Sequence, residues 1–149
     1  MPRILVIAHA PLASALKAVA VHAYPDCERR IEALDVTPDA AVEAIEASAH
    51  ALLDAGGGGE MLVLTDVFGA TPANVAQRLA EDPRVRVVAG VNVPMLWRCL
   101  CYANEPLEAL AGRAVAGAAQ GVMQVASLRP QNQTLKAAVH DPDQRHHQQ

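Results

Sequence analysis

Ile4-Leu5-Val6-Ile7-Ala8-His9 is the stretch that decides the fold: five aliphatic residues without a polar interruption, closed by a histidine, almost at the amino terminus. A run of that length and composition reads as a strand buried on both faces. Pro11 to Ala23 follows with Leu12, Leu16, Val19 and Ala20 at helical spacing, so strand gives way to helix. That order predicts the first βα unit of a parallel sheet, a class of fold whose ligands bind beyond the carboxyl ends of the strands. His9 stands at that rim, and imidazole exchanges a proton or an electrophile near neutral pH.

Outward from this unit the alternation repeats. Ile31–Val36 reads as the second strand, and Thr37-Pro38 starts a second helix running to about Ala55. Gly56-Gly57-Gly58-Gly59 ends it. No Lys-Ser/Thr follows these glycines and they precede their strand, so they form a connector at the opposite rim, not a phosphate loop. Met61–Thr65 is the third strand, Pro72 to about Glu81 the third helix, Val85–Ala89 the fourth strand and Pro94 to about Tyr102 the fourth helix. Beyond Glu105 comes a short helical pattern, and Ala114–Met123 also reads as helix. The expected architecture is α/β: a flavodoxin-like, doubly wound, mainly parallel sheet of order 2-1-3-4 with helices on both faces. Its switch point lies between the first and third strands, so His9 and Asp66 face each other across the crevice.

Three strand ends therefore meet at one rim. The third delivers Asp66 and then Val67-Phe68-Gly69-Ala70-Thr71-Pro72-Ala73-Asn74. Thr71 suits the N-cap and Pro72 the first helical position, which would turn free backbone N–H groups and a positive dipole end toward the rim, a ready anion or phosphate site. The fourth strand ends in Gly90-Val91-Asn92-Val93-Pro94-Met95-Leu96, where Gly90 permits unusual backbone angles. A neutral imidazole nitrogen is a nucleophile, and a carboxylate on the other ring N–H fixes the tautomer and offsets the charge that builds during attack. No further carboxylate adjoins Asp66, and H-E-x-x-H and C-x-x-C are both missing, so neither a metal nor a cofactor is expected.

These residues resemble the mannose-type enzyme IIA domains of the bacterial phosphoenolpyruvate-dependent sugar phosphotransferase system. The likeness covers roughly the first two thirds of the chain. Its motifs are a first strand ending in the phosphorylated His, a D-x-x-G-G-[ST]-P-x-N loop and G-[VI]-N-[IV]-P-M-L, standing here as His9, as Asp66 to Asn74 and as Gly90 to Leu96. The resemblance implies a phosphocarrier in which His9 accepts a phosphoryl group from HPr and passes it to a IIB component during sugar uptake. Asp66 would orient and stabilise His9, Gly69, Thr71 and Asn74 would bind phosphate, and Phe68, Asn92, Pro94 and Met95 would form the rim or dock a partner. It also implies a homodimer. Ala70 departs from the family's second glycine and Val67 from a frequent hydroxyl residue. Ala8 and Ala10-Pro11 flank the histidine where many members carry Gly-Thr-His-Gly or Ser-His-Gly.

Two other readings stand beside this one. The same domain could serve as a regulatory module whose phosphorylation state at His9 controls a target protein. Alternatively Asp66 could itself be the phosphorylated group, as in an aspartyl-phosphate enzyme or receiver. The D-x-D of such phosphatases is missing, since position 68 is Phe, and so is a receiver's acidic pair behind the first strand. The phosphocarrier of dihydroxyacetone kinases shares the N-terminal His, but Gly90 to Leu96 favours the mannose type.

Composition bounds the rest. The 149 residues make one domain, 52 % hydrophobic but 3 % aromatic, so small and aliphatic side chains must fill the core. A net charge of −4 with dispersed Arg and Lys favours neither nucleic acid nor a membrane surface. Cys27, Cys99 and Cys101 have neither disulfide nor zinc spacing and suit a reducing cytoplasm. The first apolar run is too short for a signal peptide or for membrane insertion. His22 and His50 are expected at the surface, and Trp97 and Arg98 in a docking surface, an interface or the core. Residues 1–128 form the expected IIA-like domain and 129–149 a polar, disordered tail carrying His140, His146 and His147, so a IIB partner would be a separate chain.

Overall fold

Each aliphatic run becomes a strand. In a computed structural model describing residues 1–127, these are β1 (Arg3–His9), β2 (Ile31–Val36), β3 (Met61–Thr65) and β4 (Val85–Ala89). All neighbours are parallel, in the order β2-β1-β3-β4. Five α-helices alternate with and follow them: α1 (Leu12–Ala23), α2 (Val42–Asp54), α3 (Thr71–Leu79), α4 (Val93–Cys101) and α5 (Leu107–Gln120). The flavodoxin-like α/β arrangement is the expected one.

β1 is aliphatic from Ile4 to Ala8 because it is covered twice. Ile4, Val6 and Ala8 join Leu62 and Leu64 under α1, α4 and α5, where Leu16, Leu96, Cys99 and Leu110 close the layer. Leu5 and Ile7 join Met61 and Val63 on the other face, under Ile45 and Leu53 of α2 and Val75 and Leu79 of α3. Each such side chain contributes about 1.5–3 kcal/mol by leaving water. Ala13, Ala20, Ala49 and Ala76 are buried among them, so the aromatic-poor core is filled partly by bringing helix backbones close to the sheet.

Helix boundaries depart from expectation in four places. α2 starts at Val42 rather than Pro38, because Thr37 to Ala40 closes a turn (Ala40 N–H to Thr37 O, 3.2 Å) with Pro38 and Asp39 at its corners, a use those residues suit as well as a helix start. α3 has Ala70 as its N-cap, with extended backbone (φ −91°, ψ 169°), so Thr71 is the first helical residue and not the cap. α4 starts at Val93 behind Asn92. The two helical patterns beyond Glu105 are one helix, α5, which stops at Gln120 and not Met123. The expected tail of residues 129–149 lies outside the described residues.

The four glycines connect α2 to β3 at the rim opposite His9. Gly57 and Gly58 take positive φ (63° and 85°) there. The Arg3 side chain lies against Gly56 and donates to the carbonyls of Leu52 (2.6 Å) and Leu53 (3.1 Å), placing a cation at the negative end of α2.

Candidate functional site

The two central strands deliver the two decisive side chains. Ile7 of β1 and Thr65 of β3 are register partners, so the residues just beyond them emerge side by side at the rim. Asp66 Oδ2 accepts the His9 backbone N–H at 3.0 Å and lies 2.6 Å from His9 Nδ1. Asp66 Oδ1 accepts the N–H of Val67 at 2.8 Å. Burial works to raise the Asp66 pKa, but the His9 and Val67 hydrogen bonds and the charge of the ring outweigh it and hold the carboxyl below its ordinary value. Asp66 is thus ionised at neutral pH, and an ionised carboxylate only accepts. Nδ1 therefore carries the ring proton, and in the neutral ring Nε2 keeps a free lone pair. The His9 side chain is 53 % exposed and that of Asp66 13 %, a held base beside an accessible nucleophile.

Four helices begin along this rim, one after each strand, and those after β1, β3 and β4 differ in what fills their amino ends. At α1 the Ser14 N–H donates to Asp35 Oδ1 at 3.0 Å, and the Ser14 hydroxyl donates to Asp35 Oδ2. At α4 the Met95 N–H donates to Asn92 Oδ1 at 2.8 Å. At α3 the cap is Ala70, which has no side-chain acceptor, and the first intrahelical bond is Asn74 N–H to Ala70 O (3.0 Å). The N–H groups of Thr71 and Ala73 precede it and lack a carbonyl one turn back, while Pro72 has none to give. α2 too begins without a side-chain cap, behind Ala41, but the open, positive end that directly follows Asp66 is that of α3.

The remaining sequence candidates divide. Gly69 sits in the exposed loop at φ 90°, a left-handed turn that suits glycine. Phe68 beside it is 75 % exposed, and Val67 is exposed as well. Thr71 is half-buried and Asn74 exposed on the first turn of α3. Three residues placed at the rim from sequence do other work. Met95 is 1 % exposed within the core and offers nothing to a partner. Asn92 caps α4 and donates from Nδ2 to Ala118 O of α5 (3.4 Å). Pro94 is half-buried against Gly121 and Gly117, where α5 passes closely. Asp35 and Gly90 went unassigned, although the pairing of Asp35 with Ala8 follows from parallel register alone.

Away from the rim, His22 and His50 are exposed and Trp97 is partly so. Cys27 and Cys99 are buried, Cys101 is exposed, and all three are free. Among the described residues no three His, Cys, Asp or Glu side chains could hold a metal ion, and no helix is long and apolar enough to cross a membrane.

Comparison with known proteins identifies the family. The family model of the phosphotransferase system (PTS) fructose IIA component matches residues 3–115, which take in β1, the Asp66 loop and Gly90 to Leu96. The chain belongs to that family. This IIA chain is 50 % identical over 42 residues to a PTS fructose-specific EIIA component of Bacillus subtilis (strain 168), a match spanning 28 % of the chain and 29 % of that relative. It is also similar to the mannose/sorbose-specific IIA subunit of the Enterococcus faecalis phosphotransferase system, at 25 % identity and TM-score 0.75, over 83 % of this chain and 94 % of that one. The PTS IIA protein associated with the fucose utilization operon of Streptococcus pneumoniae superposes with TM-score 0.71 at 25 % identity, over 90 % and 96 % of the two chains. Membership of a PTS IIA family implies a part in sugar phosphotransfer.

Proposed function

We propose that this IIA chain is a phosphohistidine carrier that takes a phosphoryl group from HPr onto His9 Nε2 and passes it to a separate IIB component. The observation that carries the reading is the 2.6 Å contact between His9 Nδ1 and Asp66 beside the uncapped amino end of α3. The Nε2 lone pair attacks phosphorus of the donor phosphohistidine, the donor's N–P bond breaks, and its electrons return to the donor ring. His9 becomes a cationic phosphoimidazole, with its Nδ1 proton held by the Asp66 carboxylate. The second transfer runs the same exchange outward.

Because phosphoryl transfer passes through a loose transition state, positioning and electrostatics carry most of the catalysis. The Thr71 and Ala73 N–H groups and the Thr71 hydroxyl suit the equatorial oxygens. Ala70 in place of the family's glycine brings no backbone strain, since its extended φ is one that any residue adopts. Donor and acceptor must both approach the ring in line, which its exposure permits, and Phe68 and Val67 supply an apolar docking edge beside it. Asp66 is the poorer nucleophile: both its oxygens already accept hydrogen bonds. The family likeness also supports a homodimer working in the cytoplasm.

Incubation with phosphoenolpyruvate, enzyme I and HPr tests the reading by intact mass. One acid-labile, base-stable phosphate that vanishes in His9→Ala supports it. No incorporation, or a base-labile adduct that survives in His9→Ala and is lost in Asp66→Ala, refutes it.

A further inference from the structure

Asp66 is held from two sides. Its carboxylate binds His9 and Val67, while its main chain is gripped by the segment that leaves β4. The Gly90 N–H is shared between the carbonyls of Thr65 (2.9 Å) and Asp66 (3.0 Å), and the Val91 N–H also reaches Thr65 O at 3.0 Å. Thr65 and Ala89 are register partners, so Gly90 is the first residue past the ladder and bends back over the end of β3. It does so at φ 89°, where glycine pays no Cβ penalty and other residues are strained. A Cβ added there would meet no atom within 4 Å. The demand for glycine is therefore conformational and not a matter of space.

We propose that Gly90 is a positioning residue for phosphoryl transfer: its left-handed turn directs its N–H at the Asp66 carbonyl and so holds the Asp66 carboxylate where it keeps the His9 ring in one tautomer. The kinetic part of this inference rests on the phosphohistidine reading; the tautomer part does not. It divides the labour of the Gly90 to Leu96 segment. Gly90 serves the site, Asn92 starts α4, and Pro94 and Met95 pack α4 against its neighbours.

Because the surroundings are open, three substitutions grade one variable, tolerance of a left-handed backbone. Gly90→Asn tolerates it best, Gly90→Ala less and the β-branched Gly90→Val least. Each is checked for folding by its melting temperature. The nitrogen-15 pattern of the His9 ring then reports the tautomer with no donor present, and transfer from phospho-HPr gives kcat and KM separately. Gly90→Asn should retain the Nδ1–H tautomer and transfer within about twofold of the unsubstituted chain. Gly90→Val should give a mixed tautomer and a kcat roughly tenfold to a hundredfold lower at unchanged KM, the range expected when a catalytic group shifts by about an ångström. Should Gly90→Val fail to fold, Gly90→Ala against Gly90→Asn carries the same comparison.

A wild-type ring spectrum in all three refutes the proposal, as does a loss confined to KM or a Gly90→Asn as impaired as Gly90→Ala. Absence of transfer in the unsubstituted chain as well would sink the phosphocarrier reading while the tautomer series still tested Gly90.

Discussion

Replacing Asp66 by Asn is the most direct perturbation of the His9 pair, because the amide is nearly isosteric and removes the charge beside the ring. In the native site one oxygen, Oδ2, serves both the His9 backbone N–H and the ring. An Asn oxygen could keep both contacts, at the loss of the Val67 N–H bond that Oδ1 accepts, about 1 kcal/mol that the fold should survive. What it removes is a full negative charge within van der Waals reach of a ring that becomes cationic when phosphorylated. Two unit charges about 4 Å apart interact by about 4 kcal/mol at an effective dielectric of 20. The half-exposed ring is partly screened, which trims the loss to about 2–3 kcal/mol in the transition state. That corresponds to transfer about 30- to 160-fold slower. Rapid-quench measurement of transfer from phospho-HPr, under single-turnover conditions, reads the rate without product release. A rate within about threefold of wild type would remove Asp66 from the mechanism, and a loss accompanied by unfolding would make its role structural. The acid limb has a defined sign. The Asp66 pKa lies below the ordinary aspartate value, so its stabilising contribution is complete above that ordinary value and fades as pH falls through the lower native one. Asp66→Asn should therefore flatten the acid-induced loss of stability.

Phe68→Ala should leave the melting temperature unchanged, since the ring is largely exposed, yet raise KM for phospho-HPr about tenfold with little change in kcat, as expected of an interface anchor; an unchanged KM would take Phe68 out of the docking surface. Asp35→Ala removes the acceptor at the amino end of α1 and should cost about 1 kcal/mol in denaturant unfolding, while Asp35→Asn, which can still accept from the Ser14 N–H, should cost less. Equal losses in the two would mean that the cap is not what Asp35 supplies. Under native conditions an alkylating reagent should label Cys101 alone: Cys99 is buried with its thiol pushed up to about 12, and burial also raises Cys27. Labelling of all three at similar rates, followed by mass spectrometry, would contradict the packing of α4 against the core.

Strands were legible in the sequence because an aliphatic run in a parallel sheet has one way to be satisfied, burial on both faces, and Ile4–Ala8 and Met61–Leu64 are such runs. The meeting of His9 with Asp66 then follows from strand order and register. Helix starts were less legible, because the same residue types serve two ends. Thr37-Pro38-Asp39 makes a turn where Thr71-Pro72 opens a helix, and what separates the two is how far each loop must travel before its helix reaches the sheet. Met95 illustrates a further limit. A residue in a motif near a rim reads as part of the site, but one turn into α4 the side chain already faces the core, and only the helix phase set by Asn92 reveals it. Gly90 was visible as a residue allowed unusual angles, whereas the bond it makes to Asp66 depends on where the chain turns after β4.

The unequal capping along the rim bears on how, in the proposed carrier, one histidine would both receive and release the same group. A helix amino end attracts anions, and three of those on the rim belong to α1, α3 and α4. Were all three free, a phosphoryl group or a stray anion would meet competing sets of donors. Asp35 takes one amide at the end of α1 with a carboxylate and Asn92 takes one at that of α4 with an amide oxygen, so both ends are partly occupied from within the chain. α2 and α3 have no side-chain cap, behind Ala41 and Ala70, and of these two it is α3 that directly follows Asp66. In the proposed carrier, a group on Nε2 would meet neutral donors only, the Thr71 and Ala73 N–H groups and the Thr71 hydroxyl. Such donors stabilise the phosphoryl oxygens without the deep well that a lysine or arginine would create. A carrier needs that moderation, because whatever binds the phosphorylated state too tightly slows the second transfer as much as it aids the first.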